Sequence, residues 1–518
     1  MKRITAILLI LGLLAAALGG CENQTKPYKP TGDALITDDS AVNPVAPPSQ
    51  SDDNQELTLI YYPDRSMNPL ECTDFTNRAL FSLIYQSLFI VDRNYKVEPM
   101  LCKQYRMSED MKTYTFYPEA ATFSDGSTLT AQDILASLLA ARESPMYKGR
   151  FLHISEVALS DDGGVTIRMD TACENLPVLL DIPIVKATQV AEPYPLGTGP
   201  YMLDLAGKAV LRRRSSWWCS AQMTVSAPAI SLKTAENEPQ IRDQFEFNDL
   251  DLVCADPGSD RYTDYRCDYE LWDCENGIFL FLACNMDSPV FSNEKVRAAL
   301  TYAIDRDTLA ASYYRGFARS ACLPASPLSP YYSNVLAAKY AYDGSGQTLY
   351  NAVTESALTG TKVVLLVNSD DSLRLRVARD IGDALTQSGL TVEMKELSTN
   401  AYLKALQMRE YDLYLGQTKL SANMDLSAFF SARGSLSYGG INDVGLYALC
   451  SESLANYGNY YTLHQNIMSD GRLVPILFRS YAVYATRGLL TGLTPSRDNV
   501  FYYTLNKTME HALLRNEA

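Results

Sequence analysis

A chain of 518 residues exceeds the roughly 250 to 300 residues at which one hydrophobic core stops growing, so two large lobes are expected. Its composition, 47% hydrophobic and 20% charged with 34 Tyr, is that of an ordinary folded protein and excludes disorder as the general state of the chain. A formal net charge of -15 repels phosphate backbones and the short basic run Arg212-Arg213-Arg214 stands isolated, which excludes nucleic acid as an expected partner.

At the N-terminus Lys2 and Arg3 form a basic start, Ile4 to Leu18 is an apolar run too short for an ordinary transmembrane span, and Gly19 and Gly20 precede Cys21. That is the pattern of a secretory signal over residues 1–20. The order Leu18-Gly19-Gly20-Cys21 resembles the bacterial lipobox, which implies that the Cys21 sulfur is diacylated and becomes the new N-terminus. Each buried CH₂ adds about 0.8 kcal/mol, and two acyl chains hold where one is marginal. The expected location is the cell membrane, lipid-anchored and facing outside the cytoplasm, either at the extracellular face or in the periplasm. Residues 21–55 then read as the lipidated Cys and a disordered tether, with Pro27, Pro30, Pro44, Pro47 and Pro48 among small polar residues that cannot bury a core.

Eleven Cys include Cys21, and an exported chain permits disulfides among the others. No C-x-x-C occurs, so neither a zinc ribbon nor a thioredoxin-like motif is supported. Cys267 and Cys274 are the expected local pair, while half or more of the ten beyond Cys21 are equally readable as buried thiols.

In chain order, residues 57–62 read as a buried strand followed by a loop marked by Pro63, Asn68 and Pro69, and residues 78–88 as a helix. Tyr114 and Phe116 alternate with polar neighbours, Phe123-Ser124-Asp125-Gly126 is a turn, and Thr130 with Asp133 starts a helix in the manner of a capping box. That helix should bury Ile134, Leu135, Leu138 and Leu139 and stop near Ser144-Pro145. Residues 165–169 alternate as a strand, residues 197–200 break the chain before a strand pair ending around Leu211, and residues 278–283 form an apolar strand. Asn293 caps a helix carrying Val296, Ala299, Leu300, Ala303 and Ile304, and Asp305 caps the next, which stops at Gly316. Residues 362–368, 372–388 and 391–397 form a βαβ unit with Leu373, Val377, Ile381 and Leu385 inward and Gly389 as the helix stop, which implies a parallel sheet.

Several separated stretches resemble one known family in order and spacing. They are Met67-Asn68-Pro69-Leu70, Ile84-Tyr85-Gln86-Ser87-Leu88, Val97-Glu98-Pro99-Met100-Leu101, Tyr114-Thr115-Phe116 with the run from Phe123 to Asp133, Gly197-Thr198-Gly199-Pro200-Tyr201, and Asn285 with Phe291 to Leu300 and Ala303-Ile304-Asp305-Arg306. The family is that of the family 5 extracellular solute-binding proteins, the oligopeptide-, dipeptide- and nickel-binding group of ABC importers. The resemblance runs from about Leu57 and fades after Gly416. It implies an α/β, two-lobed, periplasmic-binding-protein-like fold of type II and the large peptide-binding class. Lobe I is expected over residues 57–277 plus 483–518 and lobe II over 278–482. The two hinge crossings fall near Ile278 and near Phe478 to Tyr484, after Pro475-Ile476-Leu477-Phe478. The implied function is that of a monomeric substrate-binding lipoprotein that captures a small ligand, a short peptide by preference, for an ABC permease and ATPase complex. Oligosaccharide, metal chelate and an orphan receptor role without a transporter stay open.

The turns and caps just quoted are explained by backbone geometry, so ligand contacts are expected from loops facing the cleft. After the first strand these are Tyr61, Tyr62, Arg65, Met67 and Asn68, with Arg65 placed to pair a ligand carboxylate. The second group is Gln417, Thr418, Lys419, Asn423 and Asp425, with Tyr438 and Asn442 completing the wall. Peptide-binding relatives carry a Trp where Gln417 stands and, a few residues on, an Asp for the ligand's α-amino group. Here Asn423 and Asp425 are the nearest candidates, and Lys419 brings the opposite charge. Trp217 and Trp218 are taken as core. The three His, His153, His464 and His511, are widely spaced, and no H-E-x-x-H, G-x-S-x-G, P-loop or Rossmann pattern occurs. No catalytic residue, cofactor or metal ligand is therefore expected.

Overall fold

In the computed structural model, residues 57–222, 227–259, 265–488, 493–502 and 512 are described. The signal, Cys21, the tether, His511 and the end of the expected lobe I tail lie outside the described residues.

Strand Leu57–Ile60 runs parallel to Ala229–Lys233 and to Leu252–Ala255. Beyond Ala229–Lys233 the antiparallel strands Val210–Arg213 and Tyr201–Asp204 complete that side of the sheet. On the other side, Lys362–Asn368 lies parallel to Thr391–Leu397 and Leu413–Lys419. Two long antiparallel strands, Tyr269–Cys284 and Leu473–Thr486, join these halves into one sheet. Residues 482–485 pair with Leu252–Ala255 in the first half, and residues 278–284 pair with Leu413–Lys419 in the second. The pairing of the long strands slips between Glu275 and Phe279, where Gly277 takes φ +71°. Residues 276–278 of one strand stand opposite Arg479 alone in the other, and extra residues in one strand bend it and break the ladder locally, so the connection is interrupted between the two halves.

The βαβ unit forms as expected. Asp371 accepts from the Arg374 backbone N–H to cap helix Ser372–Gln387, whose Leu373, Val377, Ile381 and Leu385 are buried. Gly389 takes φ +91° beyond it. Burying four such side chains contributes about 6 to 12 kcal/mol as an upper bound. Asn293 and Asp305 cap helices Glu294–Ala299 and Arg306–Tyr314, and the latter ends through left-handed Arg315 and Gly316.

A separate antiparallel sheet orders Cys102–Met107, Thr113–Pro118, Val165–Met169 and Ile154–Leu159. Helix Ala131–Glu143, opened by the Thr130 and Asp133 capping box, packs on it. Ile134 and Leu138 are buried there, but Leu139 is 43% exposed, because the inward stripe is narrower than the four apolar positions suggest.

Three expectations change. The helix read over 78–88 is Phe75–Ala79 followed by Phe81–Ile84, and the chain turns extended at Tyr85. A tertiary contact stops it: the Gly199 N–H donates to the Ile84 carbonyl at 2.8 Å, and a Cβ on Gly197 would lie 2.1 Å from that oxygen. The strand expected over 278–283 begins at Tyr269, where Leu271 and Cys274 are buried and Trp272 and Asp273 between them are partly exposed. Cys267 and Cys274 do not pair, and both are free thiols. Tyr269 to Cys274 is continuous strand and at about 3.3 Å per residue spans roughly 16 Å, against a limit of about 7 Å between bridged Cα atoms. Trp217 is core as expected, donating its indole N–H to the Thr198 carbonyl at 3.0 Å.

Candidate functional site

The short helix Phe75–Ala79 starts at Asp74, whose carboxylate accepts from the Asn77 backbone N–H. Its Phe75 ring stacks on Tyr481 of the long strand Leu473–Thr486 at 3.6 Å between centroids. This packing turns the next residue but two, Arg78, inward: its side chain is 7% exposed and its Nη2 lies 3.3 Å from Asp498 Oδ2. Arg78 and Asp498 open onto a cavity of about 90 Å³ that Phe81, Ile90 and Met100 line on its apolar side and Tyr147, Arg150 and Asp181 on its polar side. Arg150 pairs with Asp181, donates to the Leu179 carbonyl at 3.2 Å and lies over the Tyr147 ring. Three oxygens of this wall are buried without a partner: Ser82 Oγ, Asp498 Oδ1 and Asn499 Oδ1.

The segment 493–502 supplies Asp498 by threading between both halves of the molecule. Ser496 Oγ donates to the Val91 carbonyl at 2.6 Å, and the Arg497 carbonyl accepts from Cys274 Sγ. The Arg497 guanidinium lies over the Tyr95 ring and donates to the Leu420 carbonyl. Asp498 then pairs with Lys419, at the end of strand Leu413–Lys419. Burial works against the ionised form of Asp498, but Lys419, Arg78 and Arg497 outweigh it and hold the carboxyl well below the usual carboxylate range. Burial lowers Lys419 to about 8, with Asp498 opposing. Behind Arg497, the buried Glu275 accepts from the Tyr95 hydroxyl and from Ser326 Oγ at 2.7 Å, and burial raises its pKa.

The residues expected at the site fall into separate places. Tyr61 is buried, and Arg65 lies over the Tyr62 ring and pairs with Asp74. Met67 and Asn68 are fully buried. The Asn68 amide donates to the Val190 and Glu192 carbonyls and its oxygen accepts from the Leu70 N–H, which makes it a clamp on a neighbouring loop. None of these lines the cavity just described. Gln417 accepts from Arg479, which in turn grips Asp256 at 2.8 and 2.9 Å, with Thr418 beside it on the strand. Of the expected residues, Lys419 touches the cavity-wall residue Asp498 through its side chain, and the Met67 carbonyl accepts from the wall residue Tyr85 at 2.9 Å. Asn423 and Asp425 line a second, smaller cavity with His153 and Arg150. Tyr438 packs edge-on against Tyr414, and the Asn442 carbonyl accepts from Arg472, both away from the first cavity.

Sequence reasoning missed Arg78, Tyr147, Arg150, Asp181, Asp498 and Asn499. No local pattern marks them, since each sits in an ordinary helix, 3₁₀ turn or loop. The one available signal was charge on otherwise apolar stretches, as in Asn77-Arg78-Ala79-Leu80 and Leu180-Asp181-Ile182.

The fold is that of a two-lobed binding protein, with one large sheet running through both halves and two long strands crossing between them. A family description, bacterial extracellular solute-binding proteins, family 5 middle, matches residues 96–438, and the chain belongs to that family. The glutathione-binding protein GsiB of Escherichia coli (strain K12) is 23% identical over 273 residues, covering 49% of this chain and 53% of that protein. The chain thus spans about half the length of the curated relatives it matches. Among solved structures, a putative peptide binding protein AppA from Clostridium difficile superposes with a TM-score of 0.71 at 17% identity, covering 86% of this chain and 98% of that one. NikA from Brucella suis in complex with Fe(III)-EDTA gives 0.68 at 17% identity, covering 88% and 100%. Among the described residues, no helix is long and apolar enough to cross a membrane.

Proposed function

We propose that the protein captures a small ligand, a short peptide by preference, outside the cytoplasm and delivers it to an ABC permease and ATPase complex. The observation that carries this reading is the polar cavity walled by Arg78, Arg150, Asp181 and Asp498, placed where segment 493–502 meets the end of strand Leu413–Lys419. The printed names of GsiB and AppA, a glutathione-binding and a peptide-binding protein, favour a peptide. Lobe I is proposed over residues 57–277 plus 483–518 and lobe II over 278–482, so that Lys419 and Asp498 belong to different lobes. A ligand that touches both lobes gains those contacts only in the closed form and shifts the equilibrium toward it by their energy. The transporter reads that closure. Cys21 anchors the monomeric protein to the membrane, and it performs no chemistry on its ligand.

The test is a thermal-shift screen of the purified protein against glutathione, dipeptides, tripeptides, oligosaccharides and metal chelates, followed by small-angle scattering. A ligand at 100 times its Kd adds about 2.7 kcal/mol, which raises Tm by a few degrees in a protein of this size. Peptides are expected to raise Tm and reduce the radius of gyration. A shift with sugars or chelates alone would move the ligand to that class, and a shift without compaction would refute closure.

A further inference from the structure

The charges around the cavity do not balance. Arg78 and Arg150 line it, and Lys419 and Arg497 both act on Asp498 from behind. Against these four cations stand Asp181 and Asp498. The next carboxylate, Glu275, lies behind Arg497 with both oxygens engaged by the Tyr95 and Ser326 hydroxyls, and even counted as an anion it leaves the cations in excess. Arg78 spends Nη2 on Asp498 and Arg150 spends Nη1 on Leu179 and Asp181, out of the five N–H groups that a guanidinium carries. An unbalanced positive wall of low dielectric favours an anion and disfavours a cation.

The unpartnered atoms ask for something further. Asp498 uses Oδ2 for both Arg78 and Lys419, while its Oδ1, like Asn499 Oδ1, is buried with nothing donating to it. A buried acceptor left without a donor is costly, and a ligand that supplies one recovers that cost. The cavity, at about 90 Å³, is several times the ~15 Å³ that one water needs, enough for one terminus or one side chain.

We infer that the cavity selects ligands that carry a carboxylate together with an N–H donor, the carboxylate on the Arg78 and Arg150 wall and the N–H on Asp498 Oδ1 and Asn499 Oδ1. Small acidic peptides and acylated amino acids meet both demands without adding a positive charge, whereas basic peptides bring a cation to the positive wall. Asp498, from the far end of the chain, thereby takes the place of the carboxylate missing after Gln417. The inference rests on the binding-protein reading above and narrows its ligand.

Titration calorimetry on the full chain with the dipeptides Ala-Glu, Ala-Ala and Ala-Lys, and with glutarate, tests it. Ala-Glu is expected to bind at least tenfold tighter than Ala-Ala, with Ala-Lys weakest. Arg150→Gln should bring Ala-Glu to the level of Ala-Ala, and Arg150→Lys should restore part of the preference. Asn499→Leu should weaken Ala-Glu and leave glutarate unchanged. Dipeptide binding without an acidic preference, or with Ala-Lys tightest, would overturn the inference and leave the peptide reading standing. Glutarate binding without any dipeptide would retain the anion-binding positive wall but remove the N–H contact and the peptide reading. Binding of none of the four would overturn both.

Discussion

His153 stands between two carboxylates, its Nδ1 3.2 Å from Asp170 Oδ1 and its Nε2 3.2 Å from Asp425 Oδ2. Asp170 follows strand Val165–Met169 of the small sheet beside which His153 lies, whereas Asp425 belongs to the other half of the molecule. The ion pair therefore ties the two halves together on the flank of the cavity, alongside the Glu174 N–H donation to the Leu454 carbonyl.

This bracket predicts a pH dependence. Burial lowers the pKa of His153, but Asp425 and Asp170 outweigh it and raise the value above the ordinary 6.5. A histidine whose folded pKa is raised contributes stability that is complete below the unfolded value and is lost as pH rises through the folded one. The wild-type Tm should therefore fall from pH 6 upward through that window, and His153→Gln should flatten the fall. His153→Ala leaves Asp425, with its side chain 7% exposed, unpaired, which costs about 3 kcal/mol. Identical Tm profiles for wild type and His153→Gln would show that the bracket contributes nothing.

Arg65 was the expected partner of a ligand carboxylate, yet it is 47% exposed and occupied by Asp74. An exposed pair of this kind is worth about 0 to 1 kcal/mol. Arg65→Ala should change Tm by less than about 2 °C and leave the affinity for acidic dipeptides within about twofold. A tenfold loss would return the site to the loop after the first strand.

Lys419 should couple ligand binding to protons. Its pKa is lowered to about 8 by burial, so the group loses its charge as pH rises through that value. A bound carboxylate favours the charged form, and binding at pH 8 should draw in a fraction of a proton. Calorimetry at pH 8 in two buffers of different ionisation enthalpy measures it. Affinity for glutarate, which has no group that titrates in this range, should fall between pH 7 and 9 in the wild type and stay level in Lys419→Gln. No buffer dependence would separate Lys419 from the ligand.

Gly197 and Gly126 make a matched pair for stability. A Cβ on Gly197 meets the Ile84 carbonyl oxygen at 2.1 Å, while one on Gly126, at φ +85°, meets open space. Gly197→Ala should cost about 3 kcal/mol or more through overpacking against backbone, and Gly126→Ala about 1 kcal/mol from its left-handed φ alone. Equilibrium denaturation of both variants checks the order.

Local chemistry made much of the fold legible. A cap works within three residues, so Thr130 with Asp133, Asn293 and Asp305 could be read from neighbouring positions, as could the inward stripe Leu373, Val377, Ile381 and Leu385. Wherever a distant segment intervened, reading failed: the helix at Ile84 stops because Gly199 takes its carbonyl, and neither residue shows this alone. The expectation at Asn68 went astray for a related reason. Its amide had a backbone partner waiting at Val190 and Glu192, which no sequence spacing reveals.

The sequence by itself determined the family, the α/β class, the helix starts and the βαβ unit, because each depends on short-range periodicity, capping or motif order. Only the tertiary structure decided which side chains meet at the candidate site. Arg78, Arg150, Lys419 and Asp498 come from four distant segments, and a charge in a sequence has no partner until folding removes water from around it. Desolvation then makes pairing obligatory, and the residues that satisfy it are selected by three-dimensional proximity alone.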